Sequence, residues 1–116
     1  MRVTAEFWVS ALVRRVFGAG GFAAVARRGA TEAGAIFLVM RERGGELTLF
    51  GPAPQTSYGE SRPDDRQFQE LLRADEEQVV TARLDKEARF DSDLWVVELE
   101  LAGPSDGLFV VAKPSE

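Results

Sequence analysis

The run AIFLVM, residues 35 to 40, constrains this chain more than any other stretch. An amphipathic helix or a half-buried strand would interrupt such a run with polar residues, so its continuity suggests a strand covered on both faces, inside a sheet. Just beyond it, Gly44 and Gly45 separate the run from ELTLF. A Gly-Gly step between two apolar runs is a hairpin signal, because glycine tolerates the positive φ of a tight turn. Leu47 and Leu49 alternate with Glu46 and Thr48, which predicts a return strand with one wetter face.

The flanking segments supply the remaining elements. In TAEFWVSALVRRVF, residues Ala5, Val9, Leu12, Val13 and Val16 share one face at helical spacing, with Thr4 as a cap and Glu6 suited to the positive end of the dipole. Gly18, Gly20 and Gly21 end this helix. Phe7 falls on its polar side, Trp8 at its edge. FAAVARR, residues 22 to 28, reads as a short strand leading to a turn at Gly29. Residues 51 to 65 carry three prolines and no periodicity, the mark of a long irregular connection.

After Asp64 and Asp65, the spacing of Phe68, Leu71 and Leu72 suits a short helix, with a strand over residues 66–73 as the alternative. Asp75 and Gln78 then resemble a capping box for a helix whose buried face is Val80, Leu84 and Ala88. DLWVVELELAG is a strand with Trp95, Val97, Leu99 and Leu101 on one face and Glu98 and Glu100 on the other. PSDG followed by LFVVA suggests a final hairpin partner. The expected fold is therefore α+β: a single domain over residues 1–116, in the order α-β-β-β-α-α-β-β. Its sheet is mainly antiparallel, with an N-terminal helix and one or two later helices packed on one face.

Composition then limits the chemistry. The chain has no cysteine and no histidine. Disulfides, thiolate nucleophiles, Cys or His zinc sites and Ser-His-Asp hydrolysis are all excluded. Any catalysis would rest on carboxylates, Arg, Lys, Tyr or hydroxyls, with an oxygen-liganded ion such as Mg²⁺ as the natural helper. The sequence shows no export signal and no apolar window long enough to span a membrane, which predicts a cytoplasmic protein. The net charge of −5 is uneven: residues 1–58 carry seven basic and four acidic side chains, residues 59–116 seven and fifteen. One basic and one acidic face are expected from that asymmetry.

Each charged motif has a bland reading beside its functional one. GAGGFA, residues 18–23, spells a dinucleotide-binding pattern, but it follows a helix and precedes a strand, the reverse of the order that places phosphate at a helix N-terminus. Glu98 and Glu100, with Asp91 and Asp93 before them, would suit Mg²⁺ or acid–base work; a solvated strand face explains them more simply. Asp64 and Asp65 evoke a metal-dependent nuclease, without the acid-x-Lys step such an enzyme needs. Arg14, Arg15, Arg27, Arg28, Arg41 and Arg43 suit phosphate, although overall acidity and scarce lysine argue against nucleic acid. Binding groups usually sit on loops at the end of a rigid sheet. That singles out Arg27, Arg28 and Glu32 at one turn, and Gln55, Tyr58 and Arg66 around the irregular connection, as candidate ligand or partner contacts.

The strings FWVSALVRR, GGFAAVARRGATEAGAIF, the PAPQ segment and RFDSDLWVVELE together resemble a family of small, chiefly alphaproteobacterial proteins known as a domain of unknown function, the one numbered fourteen ninety-one. The resemblance covers nearly the whole chain. It implies a bacterial cytosolic single-domain protein and transfers no catalytic residue. The leading expectation is a non-enzymatic binding or protein-interaction domain with no cofactor, contacting a protein partner or small ligand, for which a homodimer is a reasonable state. A carboxylate-based, metal-assisted phosphoesterase and an Arg-rich nucleic-acid binder are the alternatives.

Overall fold

The computed structural model describes residues 3–54, 66–103 and 108–112. Along the chain the elements are α1 (Ala5–Gly18), β1 (Phe22–Arg27), β2 (Ile36–Arg41), β3 (Leu47–Pro52), β4 (Gln67–Ala74), α2 (Glu77–Phe90), β5 (Trp95–Glu100) and β6 (Val110–Val111). The strands form one six-stranded sheet in the order β1-β5-β2-β3-β4-β6.

The AIFLVM run is the inner strand β2, between β5 and β3. Ile36 and Leu38 point to one apolar cluster, Phe37 and Val39 to the other, and all four are buried. That two-sided burial is why the run does not alternate in polarity. The first cluster lies under α1, whose Ala5, Val9, Leu12 and Val16 pack on Trp95, Val97, Leu99 and Phe68. The second lies under α2, whose Val80, Leu84 and Ala88 meet Leu47, Leu49, Leu94 and Val96.

Helices therefore cover both faces of the sheet, where the sequence pointed to one. The sheet is also mixed: β2 and β5 run parallel, as do β4 and β6, while the β1–β5, β2–β3 and β3–β4 pairs are antiparallel. Parallel neighbours need a crossover, and β3, β4 and α2 provide it between β2 and β5. Residues 67–74 are a strand rather than the short helix favoured by the spacing of Phe68, Leu71 and Leu72. Pairing with β3 supplies the hydrogen bonds that a helix would have made internally, so tertiary context overrides local spacing.

Three smaller expectations also change. The first three strands, consecutive along the chain, do not all lie side by side, because β5 separates β1 from β2, and β6 pairs with β4 at the far edge instead of returning against β5. Thr48 is fully buried, not on a wet face, and its hydroxyl donates to Glu42 Oε2 at 3.0 Å. The hairpin is present, but residues 42–46 connect it, with Gly45 at φ +93°. The capping box at Asp75 and Gln78 does not form: Glu76 occupies the N-cap of α2 and its side chain makes no cap hydrogen bond.

At α1 local chemistry behaves as read. Thr4 Oγ1 accepts from the Phe7 amide at 3.1 Å. At the other end Gly20, with φ +88°, donates its amide to Phe17 O, and Gly21 donates to Val16 O. This is the paired i−3 and i−5 closure of a glycine-stopped helix, so GAGGFA is a helix terminator whose amides are already used.

Candidate functional site

To skip over β5, the chain between β1 and β2 must pass across the start of that strand. Ala30 N donates to Asp93 O at 2.9 Å, Trp95 N to Ala35 O at 2.7 Å, and the Trp95 indole N–H to Ala30 O at 2.8 Å. The approach is close enough that a Cβ at Gly29 or Gly34 would collide with the Asp93 carbonyl. The same turn holds the start of α1, because the carbonyls of Thr31 and Glu32 accept from the amides of Glu6 and Ala5 at 2.9 and 3.0 Å. Those are two of the donors a helix N-terminus otherwise leaves without partners.

Among the predicted contact residues, Arg28 is the best placed. Its guanidinium lies 5.1 Å from the centre of the Trp95 ring and pairs with the Glu6 carboxylate. Cation–π attraction and the ion pair thus fix one cation against an aromatic wall. Arg27 donates to Ser92 O at 3.3 Å, and Glu32 contributes its backbone carbonyl to α1 while its side chain is exposed. Arg66 immediately precedes β4, four strands from β1, roughly 19 Å at the usual strand spacing. The structure does not bring it to the Arg27–Arg28 turn. Gln55 and Tyr58, like the Asp64–Asp65 pair, lie outside the described residues.

The basic half of the chain is divided as well. Arg27 and Arg28 stand at the end of the sheet where β5 begins, whereas Arg41 and Arg43 line a depression of about 370 Å³ with Met40, Leu101 and Ala102, where β5 ends. Arg15 donates to Leu108 O at 3.1 Å. Glu98 and Glu100 are exposed, and Asp91 Oδ1 accepts from the Asp93 amide at 3.0 Å, closing the turn before β5. No group of three or more acidic side chains that could hold a metal converges among the described residues.

What the sequence did not single out is the outer edge of β1. This strand pairs with β5 on one side and with no described strand on the other. A groove flanks it on each face of the sheet. On the α1 face the groove, about 350 Å³, is lined by Val9, Val13, Val25 and Trp95, with Glu6, Ser10, Arg14 and Arg28 at its rim. On the α2 face a groove of about 200 Å³ is floored by Ala26, Val39, Val80, Leu84, Leu94 and Val96, with Arg27, Glu77, Asp85 and Glu98 around it. The only available signal was the uncharged run FAAVA, and nothing local says that it forms an edge.

Fold and site together define a small mixed α+β protein with an open, apolar strand edge set between two grooves. The chain belongs to the DUF1491 family, described as a protein of unknown function, whose model matches residues 3–108. It is 47% identical to protein Atu0922 from A. tumefaciens, whose solution structure covers all of both chains with a TM-score of 0.81. It is 32% identical to a DUF1491 family protein from Caulobacter crescentus, whose crystal structure superimposes with a TM-score of 0.75 over 97% of this chain and 100% of that one. A solution structure of a DUF1491 family protein from Caulobacter crescentus, at the same 32% identity, gives 0.74 over 97% and 99%. Comparison with curated proteins finds no significant match. Among the described residues no helix is long and apolar enough to cross a membrane, which leaves β-barrels aside.

Proposed function

We propose that this protein is a non-enzymatic protein-interaction domain that engages its partner along the outer edge of β1. The observation that carries this reading is the chemistry of that edge. Phe22, Val25, Ala26 and Arg27 are exposed, no charge interrupts Phe22 to Ala26, and a groove lies on either face. Strand edges are usually blunted by charge, proline or a covering segment, because they otherwise recruit another strand. Among the described residues the blunting features are the irregular register between Val25 and Arg27 and the arginines that follow. An added strand would gain main-chain hydrogen bonds and send alternate side chains into the two grooves.

In this reading the chain works as one cytosolic domain, needs no cofactor, and uses Arg28 with Trp95 as a fixed wall of the α1-side groove. The test is affinity capture from a cell extract with the protein and with Val25→Glu, which places a charge on the α1 face of the edge. Loss of the captured protein with an unchanged circular dichroism spectrum is the expected result. Equal capture by both forms, or turnover of a phosphoester that disappears in Glu98→Gln, would overturn the reading.

A further inference from the structure

We infer that the partner on the β1 edge is a second copy of this chain, paired antiparallel through β1 on a two-fold axis at Ala24. The inference rests on the reading of β1 as the interaction edge and adds the identity of the occupant. A two-fold axis perpendicular to the sheet keeps each face on its own side, so α1 of both copies lies on one face and α2 of both on the other. Residues on the same face must then meet across the axis.

Centred on Ala24, the register sets Phe22 of one copy opposite Ala26 of the other and Ala23 opposite Val25. Phe22 and Ala24 pair with Glu100 and Glu98 of β5, which sets Ala24 on the α2 face, while the Phe22 ring packs edge-on against Phe17 of α1 at 5.7 Å. Ala26 lines the groove on the α2 face. Phe22 of each copy, 53% exposed, thus gains an apolar neighbour across the axis. Ala24 meets Ala24, and two small side chains allow the backbones to close. Charges agree too: Arg27 of the second copy comes level with Gly21, next to the exposed Glu100. Within Phe22–Ala26 there is no like charge for a copy to repel.

The contact uses the same edge in both copies, so the assembly closes at two copies and doubles the six-stranded sheet. A heterologous strand could use the main-chain hydrogen bonds, but it would have no reason to bring a cation level with Gly21, beside Glu100.

The absence of cysteine permits a direct test. Directly opposed residues of an antiparallel pair lie about 4.5–5.5 Å apart between Cα atoms, within disulfide range. Ala24→Cys should therefore oxidise to a covalent dimer. Ala26→Cys should cross-link at least ten times more slowly, since its own copy is four residues off register, about 13 Å along the strand. Mixing Ala26→Cys with Phe22→Cys should restore the link, between unlike chains. Sedimentation of the unmodified protein should show a concentration-dependent dimer, weakened at least ten-fold by Val25→Lys with an unchanged circular dichroism spectrum.

A protein that stays monomeric at every concentration, or Ala24→Cys and Ala26→Cys cross-linking at equal rates, would overturn self-pairing. Should Val25→Lys still abolish capture of another protein in that case, the edge remains an interaction site and only its occupant was wrong. Should capture survive as well, both readings fall.

Discussion

The two helices have the same length, 14 residues each, and are held by very different means. α1 buries four residues, carries a side-chain cap at Thr4 and ends in a glycine-stopped closure. α2 buries Val80 alone and starts without a side-chain cap. The sheet explains the difference. Towards α1 it offers large side chains from four strands, Trp95, Leu38, Phe50 and Phe68 among them, and Phe109 beyond them meets Phe50 and Phe68 edge-on at 5.4 and 5.8 Å. Towards α2 it offers a smaller cluster bordered by the exposed Glu98 and Glu100 of β5. The α1 face packs large side chains over four strands, the α2 face fewer and smaller ones, and each leaves a groove beside β1.

The largest effect expected from this contrast is on the α1 side. Leu12→Ala should cost about 3 kcal/mol, from lost burial and the cavity left in a cluster with little room to relax, measured as a lower denaturant midpoint at constant slope. Val80→Ala should cost less, about 1–2 kcal/mol, with faster amide exchange in α2 and unchanged protection in α1. Global exchange in both helices would show that the two faces unfold as one unit and break the contrast.

The caps sharpen it further. Thr4→Ala should destabilise by about 1 kcal/mol, since the Phe7 amide loses its acceptor, whereas Glu76→Ser should stabilise by about 0.5–1 kcal/mol by giving α2 the acceptor it lacks. Thermal melts of the two variants should move in opposite directions. The smallest effect belongs to the ion pair. Arg28 and Glu6 are 60% and 42% exposed, so Arg28→Gln should change stability by less than about 1 kcal/mol, a difference that shrinks further in high salt. A larger loss would mean that the stacking on Trp95, not the charge pair, holds the turn.

The sequence was most legible where a segment's behaviour depends on its own residues. α1 with its cap and stop, the two-sided burial of residues 36–39, the face of α2 and the alternation of β5 all follow from local pattern. Arg28 was also legible as a turn residue beside the sheet. Its partners were not: Glu6 and Trp95 are 22 and 67 residues away and were read as a dipole acid and a core residue.

Residues 67–74 show why the rest was hidden. Their spacing suits either a helix or a strand, and the decision fell to β3, whose free hydrogen-bonding groups they complete. Likewise, nothing local tells β5 to insert between β1 and β2. That choice depends on Gly29 and Gly34 allowing the connecting turn to pass tightly over Asp93, and on the burial of Trp95 beneath it. Periodicity and capping, which act over a few residues, thus determined which segments become helices and strands in most of this chain. Strand order, parallel pairing, the division of the helices between two faces and the exposure of β1 as an edge were decided only when distant segments competed for the same hydrogen bonds and the same apolar surface.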